Sequence, residues 1–228
     1  MTFPVTEISA KDWNLHLPDN SRFACPGQDR VLPLGRRVVF LDRDGVINED
    51  VGYLSTWEQL NFLGGVSSAV RRLQEHFYIV VITNQSGIAR GYFNEEDLLQ
   101  VHRHLAGHLE RNGAFLDAIY YCPHFTEGSV PSYSITCDCR KPLPGMLLRA
   151  QSDWDLELAG SYMVGDKPRD AEAAKNAGTT GILLGKTSQY RDVNKDYVYA
   201  LDLPDAAGLI LDSSGISKTT TEHGEDDD

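Results

Sequence analysis

The stretch VVFLDRDGVINED, residues 38–50, runs apolar for four residues and then sets two carboxylates, Asp42 and Asp44, one residue apart. Acids so placed repel each other unless positive charge lies close by. Other segments carry residues of matching use: VITNQS holds Thr83 and Asn84, SYMVGDK holds Asp166 and Lys167, and CDCRKPLPGM holds Arg140 and Lys141 ahead of a helix beginning near Pro142. Asp42, Asp44 and Asp166 offer the hard oxygen ligands that Mg²⁺ takes, with waters completing its octahedron. Thr83 adds a hydroxyl donor and Lys141 a point charge, both suited to phosphoryl oxygens. The set amounts to a carboxylate nucleophile, a second carboxyl for proton transfer, a divalent cation and donors for a transferring phosphoryl group. Each part has a plain competitor, since Asp and Thr after a strand also make turns and cap helices. The order and placement of the whole set favour phosphoryl transfer.

A second constellation lies in CPHFTEGSVPSYSITCDC. Cys122-x-His124 is followed by twelve residues and then Cys137-x-Cys139. Three thiolates and an imidazole match a closed tetrahedral zinc site, here structural. Such a site orders a long loop that leads directly into Arg140 and Lys141. His102, His104 and His108 share a predicted helix but lack the H-E-x-x-H pattern, so they read as a solvated face. Cys25 reads as a spare thiol.

Elements that would position these residues alternate along the chain. RVVFLD, YIVVIT, DAIYY, SYMVGD and TTGILLG read as short apolar strands. Between them, helices are expected over about 64–76, 94–112, PGMLLRAQSDW and 168–177. DYVYAL and a helix from Leu203 to Leu211 close the domain. Near-continuous apolar strands between amphipathic helices predict a parallel sheet covered on both faces, with ligands beyond the carboxyl ends of its strands. Residues 1–35, with four prolines, read as an irregular arm, 36–211 as the catalytic domain with its zinc loop at 122–139, and 212–228 as a disordered acidic tail.

The 228 residues suit one domain. Net charge is −12; the tail's six acids against Lys218 account for −5 and leave −7 on the rest. An acidic body argues against a nucleic-acid partner, which needs a basic face. No apolar run approaches the roughly 20 residues that span a bilayer, and the first residues show no signal-peptide pattern. A cytoplasmic monomer with no membrane partner is expected.

With these residues in view, the chain resembles the haloacid-dehalogenase superfamily of aspartate-nucleophile phosphatases. VVFLDRDGVIN, VITNQSGIARGYF, YYCPH with CDCRKPLPGM, and SYMVGDK are similar to the D-glycero-D-manno-heptose 1,7-bisphosphate 7-phosphatase family over about residues 37–211. The resemblance implies a three-layer, Rossmann-like fold with a central parallel sheet and a zinc-loop insertion. It implies that Asp42 attacks phosphorus, that Asp44 works as acid and then base, and that Thr83 and Lys141 stabilise the phosphoryl group. Mg²⁺ would take the Asp42 carboxylate, the backbone carbonyl of Asp44, and Asp166. Substrate contacts would come from Asp50, Val51, Gly52 and Tyr53, from Asn84, Gln85 and Ser86 beside Thr83, and from Arg140 and Lys167. The related histidinol-phosphate phosphatases share the first motif and zinc ligands with a shorter gap between ligand pairs, so the twelve-residue gap favours the heptose enzyme. Residues 55–62, STWEQLNF, depart from the family's usual acidic and aromatic composition and leave sugar recognition open.

Two readings of other classes compete. A phosphoacceptor receiver module shares the order Asp, Thr, Lys but has no acid two residues after its phosphorylated aspartate, so Asp44 disfavours it. A zinc-organised binding protein on an inactive scaffold would have no use for the full catalytic set.

Overall fold

The computed structural model describes residues 15–16, 32, 34–185 and 197–216. A seven-stranded sheet forms its middle layer, in the order β1-β4-β3-β2-β5-β6-β7. These strands are β1 (Leu15–His16), β2 (Arg37–Leu41), β3 (Tyr78–Asn84), β4 (Ala118–Cys122), β5 (Glu157–Gly165), β6 (Thr180–Leu184) and β7 (Val198–Ala200). Five helices cover it: α1 (Val66–Leu73), α2 (Glu95–Arg111), α3 (Gly145–Trp154), α4 (Pro168–Ala177) and α5 (Leu203–Ser213).

Side-chain alternation along β2 explains the three layers. Val39 and Leu41 point into a core shared with α1, α2 and α5, while Val38 and Phe40 point into one shared with α3 and α4. A strand buried on both faces must be apolar throughout, as β2 and β3 are. Six strands run parallel, from β4 across to β7.

The expected three-layer fold is present, with two corrections at its ends. The arm is not wholly irregular, because β1 pairs antiparallel with β4, Leu15 opposite Tyr120 and His16 opposite Ile119. The last helix continues past Leu211 to Ser213, and Ile216 packs against the core, so the domain reaches into what reads as tail. Cys25 and residues 217–228 lie outside the described residues.

After β1 at the edge, the chain enters mid-sheet with β2, builds outward through β3 and β4, and then crosses to β5 on the other side. That reversal opens a crevice at the carboxyl ends of β2, β3 and β5, where loops diverge. Asp42, Thr83 and Asp166 stand at or just beyond those ends.

Candidate active site

Asp42 is nearly buried, its backbone N–H donating to the Val164 carbonyl of β5 at 2.9 Å. Its Oδ2 lies 2.9 Å from the Lys141 ammonium, which also reaches Asp170 Oδ1 at 2.7 Å and donates to the Ile82 carbonyl at 2.8 Å. Burial works against the Lys141 charge, but Asp170 and Asp42 overcome it and hold the ammonium protonated. The Lys141 backbone is fixed by Asn84, whose amide donates to the Lys141 carbonyl and accepts from its N–H, both at 3.1 Å.

Asp44 is held separately. Arg43 Nε and Nη2 donate to its two oxygens at 3.0 and 2.9 Å, Asn48 donates at 2.9 Å and Gln85 at 3.0 Å. Burial alone would raise the Asp44 pKa, but Arg43, Asn48 and Gln85 together hold it below the usual carboxylate value. The repulsion posed by the DRD sequence is therefore relieved at Asp44 by Arg43, whereas Lys141 only partly offsets it at Asp42.

Carboxylate oxygens of Asp42, Asp166 and Asp170 come within 4.8 Å of one another. The Asp44 carboxylate is not in this group, which leaves its backbone carbonyl as its only ligand of the kind the resemblance implies. Asp170 is a residue the sequence reading passes over. An acid in a helix's first turn looks like ordinary capping, and Asp170 does accept from the Lys167 N–H at 3.0 Å. Its spacing four residues after Asp166 was the available signal.

The cluster fits a divalent cation on charge grounds. Asp42 and Asp170 share the buried Lys141 ammonium and Asp166 pairs with Lys167, so three carboxylates face two cations, and burial, reinforced by Asp170 and Asp44 against Lys141, pushes the Asp42 pKa up to about 7. A carboxyl so placed becomes a reliable anion when further positive charge enters. Space for the cluster comes from two glycines. A Cβ on Gly45, where φ is +82°, would collide with the Asp166 carboxylate, and one on Gly165 would collide with the Asp170 side chain.

Beyond the carboxylates lies a cleft of about 330 Å³. Asp42, Asp44 and Thr83 form its floor, and Asp50, Gly52, Tyr53, Asn84, Gln85, Ser86, Arg140 and Lys167 line it. Val51 does not; it is 46% exposed outside the lining. Gln85, while lining the cleft, donates to Thr83 Oγ1 at 2.8 Å as well as to Asp44. Lys167 Nζ sits 2.7 Å from Asp166 and 3.5 Å from Asp50. Arg90 and Arg169 also line the cleft and were not foreseen. The Arg90 guanidinium stacks 4.1 Å above the Phe125 ring and that of Arg140 lies 5.3 Å from the same ring. Two like charges sharing one ring make a seat for an anion.

Cys122, His124, Cys137 and Cys139 converge at the end of β4, all donor atoms within 4.8 Å. In a tetrahedral site with Zn–S bonds of about 2.3 Å, sulfurs sit roughly 3.8 Å apart. Cys122 Sγ lies 3.6 Å from Cys137 Sγ and 3.0 Å from Cys139 Sγ, and His124 Nδ1 lies 3.2 Å from Cys139 Sγ, a slightly contracted version of that geometry. Three free thiols and an imidazole are a donor set that zinc accepts. Arg140 Nη1 donates to the His124 carbonyl at 3.3 Å, so the cluster also places an arginine in the cleft.

The histidine helix is corrected at one position. His104 is exposed and stacks on Trp57, and His108 is partly covered by Phe62, but His102 is buried, with Nε2 3.3 Å from Arg43 Nη1.

A buried aspartate after the central parallel strand, an acid two residues on, a lysine from a later loop and an acid pair after β5 define a haloacid-dehalogenase-type hydrolase. Residues 138–206 match the HAD-hydrolase-like family model, Hydrolase_like. The D-glycero-beta-D-manno-heptose-1,7-bisphosphate 7-phosphatase of Yersinia pestis is 51% identical over 152 residues, 66% of this chain and 81% of that protein. The protein of that name from Photorhabdus laumondii is 40% identical over 185 residues, 81% of this chain and 98% of its own. A crystal structure of D,D-heptose 1.7-bisphosphate phosphatase from B. bronchiseptica, complexed with magnesium and phosphate, superposes with a TM-score of 0.69 at 34% identity, covering 78% of this chain and 99% of that one. The chain belongs to the D-glycero-beta-D-manno-heptose-1,7-bisphosphate 7-phosphatase family.

Proposed function

We propose that this chain is a magnesium-dependent phosphatase that removes the 7-phosphate of D-glycero-D-manno-heptose 1,7-bisphosphate through an aspartyl-phosphate. The observation that carries the reading is one cleft with two unlike ends. Asp42, Asp44 and Thr83 form a reaction end, with the buried Lys141 ammonium 2.9 Å from Asp42, and Arg90 and Arg140 over Phe125 form a seat for a second phosphate.

In the first step an Asp42 carboxylate oxygen attacks phosphorus, the P–O bond to the sugar breaks, and Asp44, an anion in the free site, gives the leaving alkoxide a proton it takes up from solvent or the phosphate monoester as the substrate binds. Lys141 and the Thr83 hydroxyl hold the equatorial oxygens as charge spreads over them. In the second step water attacks the aspartyl-phosphate, Asp44 takes the water's proton, and the acyl–phosphate linkage opens to inorganic phosphate and a free Asp42 carboxylate. Asp42, Asp166 and the Asp44 carbonyl would hold Mg²⁺, with Asp170 beside them; when bound, it neutralises charge between nucleophile and phosphate. Asp50, Gly52, Tyr53, Ser86 and Lys167 would contact the sugar or its phosphates, while Asn84 and Gln85 act by fixing Lys141 and Asp44. Zinc on Cys122, His124, Cys137 and Cys139 would be structural.

The reading treats residues 36–216 as a single catalytic domain, monomeric and cytoplasmic. Among the described residues, no helix is long and apolar enough to cross a membrane. The test is a side-by-side measurement of kcat/KM on both anomers of heptose 1,7-bisphosphate, on histidinol phosphate and on fructose 1,6-bisphosphate. The heptose substrate is expected to lead by at least tenfold, and a lead for histidinol phosphate overturns the substrate assignment.

A further inference from the structure

The Arg43 side chain is fully buried although it belongs to a catalytic loop. A buried guanidinium must place its donors, because each one left without an acceptor carries the whole desolvation cost. Nε and Nη2 grip the two oxygens of Asp44 side by side, the fork-to-fork arrangement in which the plane of the guanidinium fixes the plane of the carboxylate. Nη1 points the other way, into the protein, and meets His102 Nε2 at 3.3 Å. His102 comes from α2, is 2% exposed and is held edge-on against the Tyr121 ring with centroids 6.0 Å apart.

Arginine has no acceptor, so in this contact the imidazole nitrogen accepts. The His102 ring is thus neutral, with its proton on Nδ1. A line of contact runs from β4 through Tyr121, His102 and Arg43 to the carboxylate that exchanges protons with the leaving group. Without the acceptor at position 102, Nη1 would be buried without its partner. The guanidinium would then turn toward another acceptor, and one prong of its grip on Asp44 would open.

We propose that His102 is a positioning residue for the proton-transfer step, acting on Asp44 through Arg43. This rests on the assignment of Asp44 as the acid that protonates the leaving oxygen, and the experiment separates the two. An alkyl phosphate needs that proton as the P–O bond breaks, whereas a nitrophenyl phosphate expels a stable phenolate without it. First-turnover release of the leaving group is measured with saturating Mg²⁺ for a primary alkyl sugar phosphate and for p-nitrophenyl phosphate. The proteins are wild type, His102→Leu, His102→Gln and Asp44→Asn.

His102→Leu is expected to slow alkyl release about tenfold, part of the roughly 10²–10⁴ that a general acid contributes, and to leave nitrophenol release within about twofold. The Gln variant, whose amide oxygen can accept from Nη1, restores the alkyl rate. Equal losses on both substrates, no loss on either, or no recovery with Gln overturns the His102 proposal. If Asp44→Asn itself fails to discriminate the substrates, the acid assignment falls, and the role of His102 with it. A ¹⁵N spectrum of folded wild type provides a measurement free of any substitution: His102 is expected as the neutral Nδ1–H form, and an Nε2–H tautomer or an imidazolium overturns the proposal.

Discussion

Arg90 offers the sharpest test of the two-ended cleft. Its guanidinium lies 4.1 Å above Phe125, and Arg140 meets that ring at 5.3 Å, so the second phosphate of a sugar bisphosphate would meet two cations. Arg90→Ala removes one of them and leaves Asp42, Lys141 and Thr83 unaltered. A hydrogen bond to a charged partner is worth roughly 1.5–3 kcal/mol. At about 1.4 kcal/mol per factor of ten, that is a loss of roughly 10- to 150-fold in kcat/KM. Arg90 is only partly buried, so water screens the contact and the lower half of that range is expected. The assay compares heptose 1,7-bisphosphate with heptose 7-phosphate, which share a leaving group and differ only in the distal phosphate. The bisphosphate should lose its advantage while the monophosphate keeps its rate to within about twofold. Equal losses on both substrates, or an unchanged rate on the bisphosphate, would refute the reasoning.

Other expectations follow from the remaining contacts. Asp42→Asn should abolish turnover with the melting temperature and zinc content retained; measurable steady-state activity would remove Asp42 as nucleophile. Asp170→Asn keeps side-chain volume but takes away a charge beside both Lys141 and the carboxylate cluster, so the Mg²⁺ concentration for half-maximal activity should rise about 10- to 100-fold, as for other residues that support a metal's ligands. Magnesium titration of activity reads this directly. Cys137→Ser should release zinc, measured by elemental analysis, and lower the melting temperature by more than the roughly 2–4 °C that about 1 kcal/mol produces in a domain of this size. Arg140 would lose its anchor on the His124 carbonyl, and kcat/KM should fall with it.

Strands β2, β3 and β5 were legible because each is an apolar run that gives way to polar residues, and in a parallel sheet such a stop marks the ligand-binding edge. Asp42, Thr83 and Asp166 could thus be placed at that edge without coordinates, and the paired spacings of Cys122, His124, Cys137 and Cys139 pointed to the convergence seen after β4. Residues whose use depends on a distant partner stayed hidden. Asp170 resembles a helix cap until Lys141 is placed against it from a loop 29 positions earlier. Arg43 and His102 are polar letters in a catalytic loop and an amphipathic helix, and nothing in either segment reveals that they bury each other. Asn84 and Gln85, which the resemblance makes substrate contacts, line the cleft, and their amides are also engaged by Lys141, Asp44 and Thr83, contacts that no run of letters shows. The arm's strand escaped notice because two residues between prolines give no periodicity to read.

The empty positions on Gly45 and Gly165 change how relatives of this chain should be judged. A homologue could keep every acid, the lysine and the threonine, yet carry alanine at either glycine. Its carboxylates would then be forced apart and its affinity for magnesium lost, although an inventory of the catalytic letters would look complete. Competence here is written partly in methyl groups that are missing, and a search for silent members of the family should begin with those two positions.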